Sequence, residues 1–390
     1  MRLLPLLGTA LVSTATVAAM VTPPAQAASG GTTFSRWTYT ADFAQGSFTR
    51  AAAAKGTVTM TSGTSAAWTS PWKSVGFSAK SLVPSWGTTT PSGTSAVIEA
   101  RVRKGGTIGS WDTVATWAGT RRSSGSSQRD DLARLETDTI VAASTFDAWQ
   151  VRITLRRTSA KSVSPALRAI NGVAASYQTR TPATSTTGMT RTVELAVSSS
   201  SQMTHRGHYA QWGNGGEAWC SPTSTSMIMR YFGKGPSAST YAWTKERHGY
   251  VDHAARYTYD SAYEGTGNWS FNTAYAAGYG LDAFVTRLDS LREAEAFIKA
   301  GIPLVASVAY SKGQLTGAPI SSTPGHLLVI RGFRSDGAVI VNDPAGSSDQ
   351  AVRRTYSRAQ FERAWQRGSG GIVYVIRPLS IKLPSDTPRW

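Results

Sequence analysis

A single cysteine, Cys220, stands in 390 residues. One thiol cannot close an intramolecular disulfide, so no cross-linked framework holds this fold. Acidic residues are scarce too: 23 Asp and Glu face 40 Lys and Arg, a formal charge of +17. That balance excludes an acidic solvating tail and points to adhesion on polyanions, such as acidic cell-wall polymers, glycans or anionic surfaces. No nucleic-acid motif and no dense Lys/Arg block accompanies the charge, so no nucleic-acid partner is expected. Beyond residue 27 no stretch approaches the ~20 apolar residues of a membrane-spanning helix. Neither a cofactor nor a resident metal is expected, and the chain is expected to be a monomer.

What is present begins with residues 1–27, which read as a secretory signal peptide. Arg2 gives a positive start, Leu3 to Val21 is apolar and small, Pro23-Pro24 breaks any helix, and Ala25-Gln26-Ala27 is an A-x-A cleavage site. The mature protein is therefore expected to be secreted. Exported proteins use cysteines in pairs. A lone thiol in one is an intermolecular link or a reactive group.

Apolar residues make up 41% of the chain, enough for real cores, and the length suggests about two domains. Residues 30–178 are rich in Thr, Ser, Gly and Trp. Ala96–Arg103 and Gln150–Arg156 alternate apolar and polar side chains, and Thr57–Met60 and Ala169–Ala175 are further short strands. Period-2 alternation between Gly, Pro and Ser clusters predicts an N-terminal all-β sandwich. Trp68, Trp72, Trp86, Trp111, Trp117 and Trp149 crowd this block, where core packing is the first expectation and stacking on sugar rings the second. The run from Trp68-Thr69-Ser70-Pro71-Trp72 to Leu82-Val83-Pro84-Ser85-Trp86 resembles the sandwich that precedes exported bacterial cysteine peptidase-like domains. Residues 179–195, Thr-rich with Pro182, read as a linker.

From 196 to 390 the pattern is mixed α+β. Helices are expected over Cys220–Phe232, closed by Gly233; over Leu291–Ala300, with a Ser290/Glu293 capping box; and over Ser357–Gln366. Strands are expected over Ile302–Tyr310, Leu327–Phe333, Ala338–Val341 and Ile372–Ile376. A turn at 334–337 joins the middle two.

Cys220 follows the Gly-rich run Gly213-Asn214-Gly215-Gly216 and opens a helix whose first turn holds Pro222. A helix N-terminus favours a thiolate, the nucleophilic form. Of five histidines, His326 sits at a strand end beside Gly325, where its ring can reach a cleft. His205, His208, His248 and His253 read as surface residues. His205 and His208 have an H-x-x-H spacing, but no carboxylate at a ligand spacing supports them, so no metal site is assigned. Asp343 ends the strand that pairs with the His326 strand, within a couple of residues of directly opposite it. It is thus expected to orient the imidazole. Gln211 is the expected oxyanion donor, with Gln202 and Asn214 as alternatives. The segment Tyr250–Asn272, carrying Tyr257, Tyr259, Tyr263 and Trp269, is expected to line the cleft.

Gln211-Trp212 through Trp219-Cys220-Ser221-Pro222, then Pro324-Gly325-His326-Leu327 and Val341-Asn342-Asp343-Pro344, resemble the C-thirty-nine-like branch of papain-fold cysteine peptidases, which includes the double-glycine leader peptidases of bacteriocin exporters. The resemblance covers residues 200–378 and matches the order Gln, Cys, His, Asp. It departs at Ser221, where the family commonly has Gly, and in a longer Gln-to-Cys spacing. It implies a papain-like peptidase domain cleaving peptide or protein substrates through Cys220, His326 and Asp343. Leader processing is not the expected role, because the chain has neither membrane spans nor an ATPase. Two other functions compete: a cell-wall peptide amidase or transglutaminase-like enzyme, and a wall- or glycan-binding protein with a vestigial triad.

Overall fold

The computed structural model describes residues 31–119, 121–125, 131–244 and 246–385. The expected signal segment lies outside the described residues. No helix among the described residues is long and apolar enough to cross a membrane.

From Thr32 to Ala175 the chain is almost wholly β, interrupted by the four-residue helix Thr40–Phe43. The alternating segments fall inside the long strands Thr94–Lys104 and Thr139–Arg157, paired from Ala148–Arg103 to Arg157–Thr94. The strand Thr139–Arg157 has four partners, and it and Lys73–Thr89 lie at the centre of thirteen antiparallel strands joined in one hydrogen-bonded network. Register shifts where these two strands pair, between Val141 and Ala148, mark the bulges that bend them. Four tryptophans fill the core: Trp37, Trp68, Trp86 and Trp149 are fully buried. Trp37 meets Trp68 and Trp149 edge-on at 5.5 and 5.9 Å. Trp72 and Trp111 are only half-buried, and Arg101 lies over both rings.

Residues 179–192 form no regular structure, yet they are not a free linker. Two buried carboxylates hold them. Glu362 accepts from the Ser185 N–H and hydroxyl, both at 2.7 Å, and Glu295 accepts from the Gly188 N–H and the Thr187 hydroxyl, both at 2.8 Å. Buried charges need such partners. The partners lie more than a hundred residues away, where local composition cannot reveal them.

The second domain is built on a seven-stranded antiparallel sheet. Its order is Asp282–Arg287, Ile372–Arg377, Leu304–Tyr310, Thr323–Phe333, Val339–Asn342 and Arg353–Tyr356, with Val193–Glu194 added beside Gly332 and Phe333. Both faces are covered. Leu327 and Val329 pack with the helices Cys220–Tyr231 and Trp269–Ala277. Leu328 and Ile330 pack with Leu291–Lys299 and Arg358–Ser369. That two-sided burial is why Leu327-Leu328-Val329-Ile330 runs apolar without alternation. At the helix Leu291–Lys299 the expected capping box is not formed: Ser290 caps nothing, and Glu293 accepts instead from the Asp289 N–H at 3.1 Å.

The first of these faces continues into the N-terminal domain. Phe271 is buried edge-on against Trp86 and Trp117, at 6.0 and 5.2 Å. The Val285 N–H donates to Ser85, and the Ser270 hydroxyl donates to the Pro84 carbonyl. The two domains share one continuous core.

Candidate active site

The approach to Cys220 is a tight turn. Gly213, Asn214 and Gly215 take φ of 75°, 69° and 92°, the left-handed region. Gly216 then passes beneath the 3₁₀ turn Gln202–His205; a Cβ there would lie 2.2 Å from the His205 carbonyl oxygen. Trp219 is fully buried and donates its indole N–H to the Trp212 carbonyl at 2.7 Å. Cys220 follows as the first residue of the helix, partly exposed. Ser221, Thr223, Ser224 and Thr225 are all buried, so small polar side chains let the helix lie flush on the sheet. The Ser224 hydroxyl donates to the Leu327 carbonyl at 3.1 Å, fastening the helix beside His326.

His326 lies opposite Val308 in the central sheet. Asn342 pairs with Val329, so Asp343 stands opposite Leu328, two residues from His326. Residues two apart on a strand share a face. His326 Nε2 and Asp343 Oδ1 lie 2.8 Å apart, with both side chains buried. The other Asp343 oxygen accepts from the Tyr356 hydroxyl at 2.7 Å, and Oδ1 also accepts from the Ala345 N–H at 3.1 Å. Since Asp343 takes Nε2, Nδ1 is the ring nitrogen left for the thiol, and Cys220 and His326 line the same cleft. Burial alone would lower the imidazole. The Asp343 charge and hydrogen bond, with the Cys220 contacts, outweigh it and raise His326 from 6.5 to about 10. Asp343 runs the other way: burial would raise it, but the charge and bond of His326, then the Tyr356 and Ala345 bonds, hold it below the usual carboxylate value. Tyr356 was not anticipated from the sequence; it ends the strand Arg353–Tyr356 opposite Val339, and its long side chain reaches Asp343 through the hydroxyl.

The amide at this site differs from the one expected. Gln211 is exposed in the turn and does not line the cleft. The left-handed residues that follow carry the chain back on itself and leave Gln211 outside. Gln202 is buried and lines the cleft. One of its amide N–H groups donates to the Glu217 carbonyl at 2.6 Å, which leaves a second N–H on the same nitrogen. Asn214 also lines the cleft.

The cleft, ≈ 830 Å³, has walls from both domains. Glu136 to Thr139 come from the N-terminal domain, Tyr263 to Trp269 from the loop before the helix Trp269–Ala277. Of the aromatic segment expected there, only this last part qualifies. Tyr257 lies on a helix and stacks on His253 at 4.2 Å instead. Asp138 is buried in the wall and accepts from the Trp269 N–H at 2.7 Å. Burial raises its carboxyl to about 6; the Asp260 charge adds to this, while the Trp269 and Thr139 bonds oppose it.

Two of the four remaining histidines are not the surface residues expected, whereas His208 and His248 are partly exposed. His205 and His253 are buried, and His253 is lowered to about 4 by burial and the Arg256 and Arg122 charges. His205 and His208 both approach Asp252, the carboxylate that no sequence spacing supplied.

A partly exposed thiol on a helix N-terminus, in one cleft with an imidazole that a buried carboxylate orients, is equipped for acyl transfer. Residues 194–372 match the model of the Peptidase C39 like family, and residues 33–176 match that of the Peptidase C39 N-terminal domain. No curated protein matches the chain. Among solved structures, a candidate C39-like peptidase from Bacillus anthracis is 17% identical, over 48% of this chain and 98% of that one, with a TM-score of 0.29. A structure of carbohydrate-binding modules of the β-sandwich superfamily is 15% identical, over 37% of this chain and 57% of that one, with a TM-score of 0.18. Scores this low carry no argument about this chain.

Proposed function

On the premise that this chain belongs to the C39-like peptidase family, we propose that it is a secreted cysteine peptidase of papain-like type, cleaving peptide bonds through Cys220, His326 and Asp343. The observation that carries this reading is the buried 2.8 Å contact between His326 Nε2 and Asp343, which leaves Nδ1 for the Cys220 thiol. In the proposed reaction the Cys220 thiolate attacks the scissile carbonyl carbon. The backbone N–H of Cys220 and the free amide N–H of Gln202 receive the oxyanion. His326 protonates the leaving amine, and the acyl-thioester forms. His326 then takes a proton from water, which attacks the thioester and returns the thiol. Asp343, steadied by Tyr356, holds the ring so that Nδ1 faces the sulfur throughout. The N-terminal domain serves this site directly, since Glu136 to Asp138 form one wall of the cleft. An extended peptide lying between two such walls is the substrate this shape favours.

Labelling of the mature chain by a thiol-directed electrophile, together with cleavage of a peptide library, tests the reading. Cys220→Ala and His326→Ala should each abolish cleavage. If His326→Ala leaves both the thiol reactivity and the cleavage intact, the assignment of the pair is wrong.

A further inference from the structure

Asp252 comes from the helix Gly249–Thr258, whereas His205 ends the 3₁₀ turn Gln202–His205 and His208 follows it. The side chains of His205 and Asp252 are fully buried, and that of His208 is 23% exposed. His208 Nδ1 lies 3.1 Å from Asp252 Oδ1, with the geometry of a hydrogen bond. His205 Nδ1 lies 2.9 Å from Asp252 Oδ2, and here the geometry is different. Among the described residues, neither ring nitrogen of His205, nor that carboxylate oxygen, has a hydrogen-bond partner. Buried polar atoms are rarely left this way, because they lose water and gain nothing for it. A cation between an imidazole lone pair and a carboxylate oxygen removes the penalty for both.

We propose that His205, His208 and Asp252 bind one divalent transition-metal ion of the zinc class. One ligand atom from each residue lies within 4.8 Å of the other two. Bonds of ~2.0–2.1 Å at a tetrahedral centre place ligand atoms about 3.3 Å apart; His205 Nδ1 and His208 Nδ1 lie 2.9 and 3.1 Å from different oxygens of Asp252, so one ion is held either by both oxygens or after a small turn of the carboxylate. Two imidazoles and a carboxylate suit zinc, whereas calcium and magnesium prefer all-oxygen shells and copper(I) prefers thiolates. A fourth position is left for water. Glu246 Oε2 lies 3.8 Å from His208 Nε2, where an outer carboxylate steadies a ligating imidazole. The ion has a structural task in this position. His205 shares its turn with Gln202, its carbonyl sits over Gly216, and its ring lies 6.2 Å from that of Trp219, the residue before Cys220. Metal bound here ties the turn carrying Gln202 and the loop ending at Cys220 to the helix Gly249–Thr258. It does no bond chemistry, and the proposal does not depend on the peptidase reading.

The test is made on the full mature chain carrying Cys220→Ala, so that the cleft thiol cannot act as a ligand. After chelation and dialysis, zinc alone is titrated by calorimetry and cobalt(II) alone by visible absorption. The expected result is one ion per chain, with the intense d–d bands of four-coordinate cobalt. Asp252→Asn and His205→Gln should each weaken binding at least 10–100-fold. His208→Gln, at the partly exposed ligand, should keep the circular-dichroism spectrum of the parent and still lose the ion. Absence of 1:1 binding, or binding unchanged in all three variants, overturns the proposal. So does binding seen in the parent chain but lost with Cys220→Ala, which would put the ion in the cleft.

Discussion

Two buried histidine–aspartate pairs lie near the two ends of the turn and loop that lead into Cys220, and they differ in what completes them. His326 and Asp343 are joined by a 2.8 Å hydrogen bond, and the carboxylate's remaining capacity goes to Tyr356 and Ala345. His205 and Asp252 are as close, at 2.9 Å, but share no hydrogen bond, and a second histidine stands on the other carboxylate oxygen. Proximity alone does not define a role. A fully satisfied carboxylate fixes one tautomer and one ring orientation, as proton transfer requires. A carboxylate between two imidazoles, with atoms left unbonded, is suited to a cation. Variants that affect one pair and spare the other are the way to test that division.

The largest effect should come from the first pair. His326→Ala is expected to lower kcat/KM by ~10³-fold or more, since general acid–base catalysis alone contributes 10²–10⁴. The corresponding change at the second pair, His205→Ala, should leave labelling of Cys220 by a small electrophile within a few-fold of the parent. If the two variants lose reactivity equally, the distinction between the pairs fails.

Asp343→Asn comes next, with an expected loss of roughly 10²-fold in kcat and a change in pH profile that a merely structural role would not produce. In the parent, His326 remains protonated to about 10, so the alkaline limb of kcat/KM should fall near there. Removing the Asp343 charge removes the largest opposing influence on a buried imidazole, and the limb should move to lower pH. The linked stability follows the same signs. His326 has a folded value above its unfolded 6.5, so its stabilisation is complete below that pH and is lost as the pH rises through about 10. Asp343 is depressed, so its contribution is present above the ordinary carboxylate range and is lost as the pH falls through its folded value. An alkaline limb unmoved by Asp343→Asn would show that His326 does not set it.

Gln202→Ala should lower kcat ~10–10²-fold with little change in KM, whereas Gln211→Ala should change neither. The two glutamines also mark where local sequence signals reach the geometry of the site and where they do not. Cys220, His326 and Asp343 are legible because each depends on local signals: a Gly-rich approach and a helix start, a strand end beside Gly325, and a turn at 334–337 that sets the register. The glutamine is not, because the choice depends on how residues 207–219 fold back, and that rests on left-handed conformations at Gly207, Tyr209 and 213–215. Asp252 was missed for a similar reason. It approaches His208 from 44 residues away, on the helix Gly249–Thr258, and no spacing rule spans that distance. The fusion of the two domains through Trp86, Trp117 and Phe271 was equally hidden, since a core shared between domains has no period along either segment. Glu295 and Glu362, which hold the connecting strap, come from far along the chain and leave no mark in its own composition.

The smallest expected effect extends the comparison to a third buried carboxylate. Asp138 lies in the wall of the same cleft, but among the described residues no imidazole or guanidinium is hydrogen-bonded to it, and burial raises its carboxyl to about 6. The sign is therefore opposite to that of Asp343. An acid whose folded value exceeds its unfolded 3.8 is destabilising when ionised, and the burden is relieved as the pH falls through 6. Asp138→Asn keeps an acceptor for the Trp269 N–H and removes the charge. It should raise the melting temperature at pH 7, by an amount equivalent to about 1–3 kcal/mol. The gain should shrink towards pH 4, with kcat/KM changed less than about three-fold. Thermal unfolding of the variant in a Cys220→Ala background at both pH values measures this. A variant that melts below its parent at pH 7 would mean the ionised carboxylate is bound by a partner, and Asp138 would then belong with Asp343 as a satisfied charge rather than stand apart from it.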